Sequence, residues 1–172
     1  MLSKKMIESL NEQINKELYS AYLYMSMASY ASSIGLNGFA NWFLVQVKEE
    51  LSHAEKFYAY VIKQAGRVIA KAIDEPPSDF SSALDLFKKT LEHEQKVTKR
   101  IHNLVSHARK EEDHSTDAFL QWFVTEQVEE ESNASELLQK LNLIGKDVNG
   151  LLTIDNQLAT RVFVPPQAGQ QP

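Results

Sequence analysis

The chain has 172 residues and a mass of 19.5 kDa, enough for one domain with a substantial core. Its formal charge of −5 argues against a basic nucleic-acid-binding face, and the absence of cysteine excludes disulfides, thiolate-held metal and a catalytic thiol. No run approaches membrane-spanning length, and Met1-Leu2-Ser3-Lys4-Lys5-Met6 lacks a signal peptide's apolar core, so the expected location is cytoplasmic.

Ser3 caps a predicted first helix to about Ser33, with the seam Ile7, Leu10, Ile14, Glu17, Ala21, Tyr24, Ala28 and Ala31. Gly35 and Asn37-Gly38 break it. A second helix runs from about Gly38 to Gln64, where Gly66 ends it, with the seam Phe43, Gln46, Glu50, His53, Phe57 and Tyr60. The stretch from Ala65 to Ser81, holding Pro76-Pro77, reads as irregular. Ser81 or Ser82 caps a third helix to about Glu111, with the seam Ala83, Phe87, Thr90, Glu94, Val97, Ile101, Leu104 and Ala108. A fourth runs from about Ser115 until Gly145 stops it, with the seam Leu120, Phe123, Gln127, Glu130, Ala134, Leu137, Leu141 and Ile144. One short fifth helix fits between Asn149 and Arg161, and the tail beyond reads as disordered.

Four long amphipathic helices without strand signals predict an all-α four-helix bundle. Short turns make the first two helices one antiparallel hairpin and the last two another. The linker of about 17 residues between them could span on the order of 50 Å extended. A helix of this size is roughly 40 Å long, so the linker reads as one long crossover.

The seams are interrupted in register. Glu17 to Glu50 and Glu94 to Gln127 are both 33 residues; Glu17 to His53 and Glu94 to Glu130 are both 36. Each hairpin therefore carries a carboxylate on its first helix and an i, i+3 polar pair on its second. All these interruptions fall roughly 25 Å from the turn, so the six groups meet at one level. Any one of them fits a core polar residue satisfied by hydrogen bonds. Four carboxylates in one dry layer, however, repel and take up protons unless cations compensate them. Two divalent cations cancel the charge, and oxygen-rich ligation with one imidazole suits iron or manganese better than structural zinc. Glu50-Leu51-Ser52-His53 is also the Glu-x-x-His motif of di-iron carboxylate proteins. Tyr24, seven residues beyond Glu17 on the same face, fits a ligand's hydrogen-bond partner, an electron donor or simply a core tyrosine.

On Glu17, Tyr24, Glu50-Leu51-Ser52-His53, Glu94 and Gln127-Val128-Glu129-Glu130, the sequence resembles the bacterial non-heme ferritins, over residues 1–161. The resemblance implies a ferritin-like di-iron domain over 1–161 and a flexible tail over 162–172. It implies a ferroxidase that oxidises Fe(II) to Fe(III) with dioxygen or peroxide at a dinuclear centre within each subunit. Ferric mineral then collects inside a closed homo-oligomeric cage of about 24 subunits. Glu17, Glu50 and His53 would hold the first iron, with Glu50 bridging. Glu94 and Glu130 would hold the second, with Gln127 close enough to bond or ligate weakly. Glu49, Glu126 and Glu129, with Glu130 shared, would form a third iron site; a solvated acidic face is the plain alternative.

Departures from related families narrow this. Bacterioferritins carry a second Glu-x-x-His, where Gln127-Val128-Glu129-Glu130 has none, and a heme-ligating methionine where Leu51 stands, so no heme is expected. Rubrerythrins need cysteine, and the DNA-protecting cages place their ligands between subunits. Asp117 matches an acidic channel position of animal ferritins, although Leu120 replaces its neighbour. A helical interaction protein using polar seam residues to fix register needs one or two of them, not six in one layer. His93, His102, His107 and His114 read as surface residues. The buried-charge argument further predicts that Glu94→Leu is more stable than wild type without metal.

Overall fold

In the computed structural model, which describes residues 2–165, helices form where caps and apolar spacing predict them. These are α1 (Lys4–Ser33), α2 (Asn37–Lys63), α3 (Ala83–Lys110), α4 (His114–Ile144) and α5 (Val148–Leu158), with no strand among the described residues. Ser3, Ser82, Asp113 and Asp147 each accept a backbone N–H of the helix they open, which satisfies donors the helix itself cannot. Most of the tail expected at 162–172 lies outside the described residues.

Helix α2 opens differently. It begins at Asn37, one residue earlier than predicted, and Leu36 offers no side-chain cap. The cap comes instead from α5, whose Asp155 Oδ1 accepts the Phe39 N–H at 3.0 Å. Gly38 therefore opens α2 rather than separating it from α1. Any Cβ there would overlap the Asp155 carbonyl, so glycine is what allows α5 to close on α2. At the other end of α2, the left-handed residue is Ala65 (φ 57°) and not Gly66. Gly66 donates to the Val61 carbonyl, and a Cβ on it would press on Val61 at 2.9 Å.

The crossover between α2 and α3 has no regular structure and follows α1 along its length. Asn11 donates to the Arg67 carbonyl and accepts the Ile69 N–H; Asn15 donates to the Ala72 carbonyl; Ser26 donates to the Pro77 carbonyl. Phe80 then packs edge-on against Tyr30, with ring centroids 5.4 Å apart. Side chains of α1 thus supply the partners that a long irregular segment otherwise lacks.

The core has two apolar halves. Tyr24, Phe39, Phe43, Phe87 and Leu141 belong to one; Met6, Leu10, Phe57, Ile101, Leu120 and Phe123 belong to the other. Burying each such side chain stabilises the fold by about 1.5–3 kcal/mol. Between the halves lies a buried polar layer of Glu17, Glu50, His53, Glu94, Gln127 and Glu130. A second column along α1, Met6, Gln13, Ser20 and Met27, is also buried at sevenfold spacing. It meets a matching column on α3 that includes Leu86 and His93. His93 is accordingly 8% exposed and not the surface residue its position off the main seam suggested. His102 and His114 are exposed, and His107 is half-buried beside Glu111.

Candidate metal centre

The polar layer takes one helical turn from each long helix. Glu17 (α1), Glu50 and His53 (α2) bring one ligand atom each to within 4.8 Å of one another, all three side chains buried. Gln13, one turn before Glu17, donates to Glu17 Oε1 at 2.8 Å. The imidazole of His53 has Nδ1 3.6 Å from Glu50 Oε2 and Nε2 4.0 Å from Glu126 Oε1. Trp122 and Phe123 of α4 pack edge-on against its ring.

The other half of the layer is more heavily bonded. Glu94 (α3) accepts the Tyr24 hydroxyl on Oε1 and the Gln127 amide on Oε2, the latter at 3.2 Å. Gln127 also donates to the Glu94 carbonyl and to Thr98 Oγ1, each at 3.3 Å. Glu130 (α4) accepts the Gln46 amide at 2.9 Å. Tyr24, fully buried between Phe43 and His93, is therefore a hydrogen-bond partner of a candidate ligand.

Electrostatics follow from burial. Loss of water, then repulsion from Glu94, Glu17 and Glu130, holds the Glu50 carboxyl well above the usual range. Burial raises Glu94 to about 7, against the donors Tyr24 and Gln127. Burial and the charges of Glu94 and Glu49 raise Glu130 to about 8. Burial, with the carboxylates beside it, also lifts Tyr24 well above the ordinary phenol. Two buried oxygens, Glu17 Oε2 and Gln46 Oε1, have no hydrogen-bond partner. Both are acceptors, so the layer lacks positive charge and donors. A divalent cation would supply the missing positive charge, and Glu17, Glu50 and His53 could hold one.

The third group of carboxylates is less gathered. Glu126 is half-buried near His53, Glu129 is exposed, and Glu49 is tied to Arg161 by a 2.7 Å ion pair. Asp117 is bound by Arg109 at 3.0 Å and Gln121 at 2.8 Å, while Leu120 is fully buried and lines no surface. Sequence reasoning gave no role to Gln13, Gln46, Thr98 or Arg161. Gln46 had a visible signal, as it interrupts the α2 seam one turn before Glu50. Gln13 lies off the α1 seam, and nothing local marks it.

A family profile, the Ferritin-like domain, matches residues 7–144. The chain is 43% identical over 163 residues to a bacterial non-heme ferritin of Staphylococcus aureus strain MRSA252, covering 95% of this chain and 98% of that protein. This chain belongs to the ferritin family. Among solved structures, it matches an open-pore ferritin from the hyperthermophilic archaeon Archaeoglobus fulgidus at 54% identity. The TM-score is 0.94, covering 94% of this chain and all of that one. A closed form of the same ferritin, engineered by site-directed mutagenesis, matches equally well, covering 95% of this chain. The all-α ferritin fold, with one long crossover and a short fifth helix, is the one described above. No helix among the described residues is long and apolar enough to cross a membrane.

Proposed function

We propose that this ferritin stores and detoxifies iron in the cytoplasm, oxidising Fe(II) at a dinuclear centre within each subunit and depositing ferric mineral inside a homo-oligomeric cage. One observation carries the reading: Glu17, Glu50 and His53 converge within 4.8 Å in a dry layer where two buried acceptor oxygens have no partner. A layer built only to fix helix register would satisfy its own polar groups. Glu50, whose hydrogen-bonding neighbour is the carboxyl of Glu17 and which lies among the other carboxylates, suits the bridging role between the two metals. Glu94 and Glu130 supply the second iron's oxygens, and Gln127 orients Glu94.

Iron must displace protons to enter. With Glu94 raised to about 7 and Glu130 to about 8, the layer holds protons near neutrality, and binding releases them. Two Fe(II) ions then give one electron each, and dioxygen takes both with two protons to form hydrogen peroxide. Tyr24, bonded to Glu94, keeps that carboxylate aimed. Glu49, Glu126, Glu129 and the shared Glu130 receive a third iron beside the pair.

The test is aerobic addition of Fe(II) to the metal-free protein, followed by stopped-flow absorbance. Replacing Glu50 and Glu94 by alanine abolishes the fast phase while helicity and particle size stay as in wild type. An unchanged fast phase in that double variant would sink the assignment. Replacing Glu126 and Glu129 leaves the first oxidation event intact and changes the iron oxidised per dioxygen. An unaltered ratio would make them ordinary solvated carboxylates.

A further inference from the structure

The second column along α1 and α3 is paired at one level and open at the next. Ser20 and His93 are both buried and bond to each other at 2.8 Å. Seven residues away on each helix, Gln13 and Arg100 line a groove of about 350 Å³ between the two helices. Arg100 is half-buried, and its Nη1 is shut off from water with no hydrogen-bond partner among the described residues. A guanidinium spreads its charge over the whole planar fork, so one sealed, unbonded nitrogen leaves that charge poorly compensated. Neither neighbouring carboxylate meets it. Glu12 lines the same groove without bonding Nη1. Glu111 is already engaged by the groove residue His107 at 3.0 Å and by Ser3 at 2.7 Å.

The groove has the opposite deficit from the metal layer: there acceptors lack positive charge, here donors lack a counter-charge. Lys5 and Ser9 on α1, with Arg100 and Asn103 on α3, bring donors from both walls. Donors from two sides suit a tetrahedral oxyanion, whose oxygens point in several directions, better than a planar carboxylate, which fits a single fork. Gln13 is buried and donates to Glu17 Oε1 at 2.8 Å, so the groove borders the metal layer without belonging to it. We propose that the α1–α3 groove is a phosphate site, for free phosphate or the phosphate group of a small monoester, with Arg100 as its principal ligand and Lys5 as its second charge. The anion bonds the groove-facing edge of the guanidinium, and its charge compensates the sealed nitrogen through the delocalised fork. A volume of about 350 Å³ leaves room for the organic part of a monoester.

Calorimetric titration of the iron-stripped, full-length protein at fixed ionic strength tests this, with inorganic phosphate, glycerol phosphate and acetate as probes. Without metal, the acidic layer offers phosphate no cation and does not compete for it. Wild type takes up one phosphate per subunit and binds acetate about tenfold more weakly. Arg100→Gln weakens phosphate by about tenfold. Lys5→Gln weakens it by about threefold, and Glu12→Gln strengthens it by about threefold. Phosphate bound more tightly than the monoester identifies the free anion as the ligand, the reverse order identifies a monoester, and both support the site. Binding that Arg100→Gln leaves unchanged overturns the site, as does an absence of binding in wild type and Glu12→Gln alike. Acetate bound as tightly as phosphate overturns the phosphate assignment. If Arg100→Gln fails to assemble, Lys5→Gln decides at an exposed position, and an unchanged affinity there refutes the groove.

Discussion

The two hairpins carry the same polar pattern at the same spacing and use it differently. In the α1–α2 hairpin the carboxylate and the i, i+3 pair converge on each other, placing Glu17, Glu50 and His53 within 4.8 Å. In the α3–α4 hairpin the carboxylates are engaged by donors, Glu94 by Tyr24 and Gln127, and Glu130 by Gln46. Tyr24 and Gln46 both come from the first hairpin. Equal spacing therefore sets the level at which groups meet, while the donors around each oxygen decide how free it is to take a metal. A buried carboxylate such as Glu50, which shares a hydrogen bond with another carboxyl, Glu17, gains most from a cation; one held by neutral donors such as Glu94 is already partly compensated.

The largest expected contrast is in metal affinity. His53→Ala removes a proposed ligand from the Glu17, Glu50 and His53 cluster and should weaken the first Zn(II) by about a hundredfold. Gln127→Ala, acting through Glu94, should weaken the second by about tenfold. Equal losses in calorimetry would erase the distinction between the hairpins.

Next comes pH. Glu94 and Glu130 have folded pKa values of about 7 and about 8, above those of the unfolded carboxylates. The metal-free fold therefore holds protons that the unfolded chain has released. Its stability should be greatest at the acid end of this window, near pH 4.5. Stability should then fall by a few kcal/mol as pH rises through 7 and 8. Denaturant unfolding of the metal-free protein at stepped pH checks this, and Glu130→Gln should flatten the upper part of the curve.

A smaller effect separates Glu50 from Glu94 in the same metal-free protein. Glu50→Leu replaces a buried carboxyl crowded by Glu94, Glu17 and Glu130 with apolar surface and should stabilise by about 1–4 kcal/mol. Glu94→Leu, expected from sequence to stabilise, also strips the acceptor from Tyr24 and Gln127 at a cost of about 1–3 kcal/mol. Its net change should be near zero or negative. Zn(II) at a hundred times its Kd adds about 2.7 kcal/mol to the wild type and should add much less to either variant. The smallest contrast lies in the turns. The first hairpin turns through Gly35 (φ 83°), the second through Glu112 (φ 55°), a left-handed conformation that a side chain opposes. Glu112→Gly should raise stability by up to about 1 kcal/mol, whereas Gly35→Ala should lower it by about 1–2 kcal/mol. Thermal unfolding of the two variants measures both.

The sequence by itself determined the helices, the pairing into hairpins and the level of the polar layer. Each is a local or periodic property: caps and glycines mark ends, and a 3.6-residue period turns spacing into a shared face. Glu17, Glu50, His53, Glu94, Gln127 and Glu130 are all buried in that layer for this reason. The tertiary structure decided which second face of a helix is covered, and by what. His93 and Gln13 are buried because α1 and α3 pack through a second column that a single seam does not reveal. Asp155 caps α2 from 116 residues away, and Arg161 reaches Glu49 from 112 residues away. Such partners carry no mark in the local pattern, since a carboxylate's counter-charge need only be near it in space. Periodicity places a side chain on a face; only the packed neighbours determine how that side chain's charge is met.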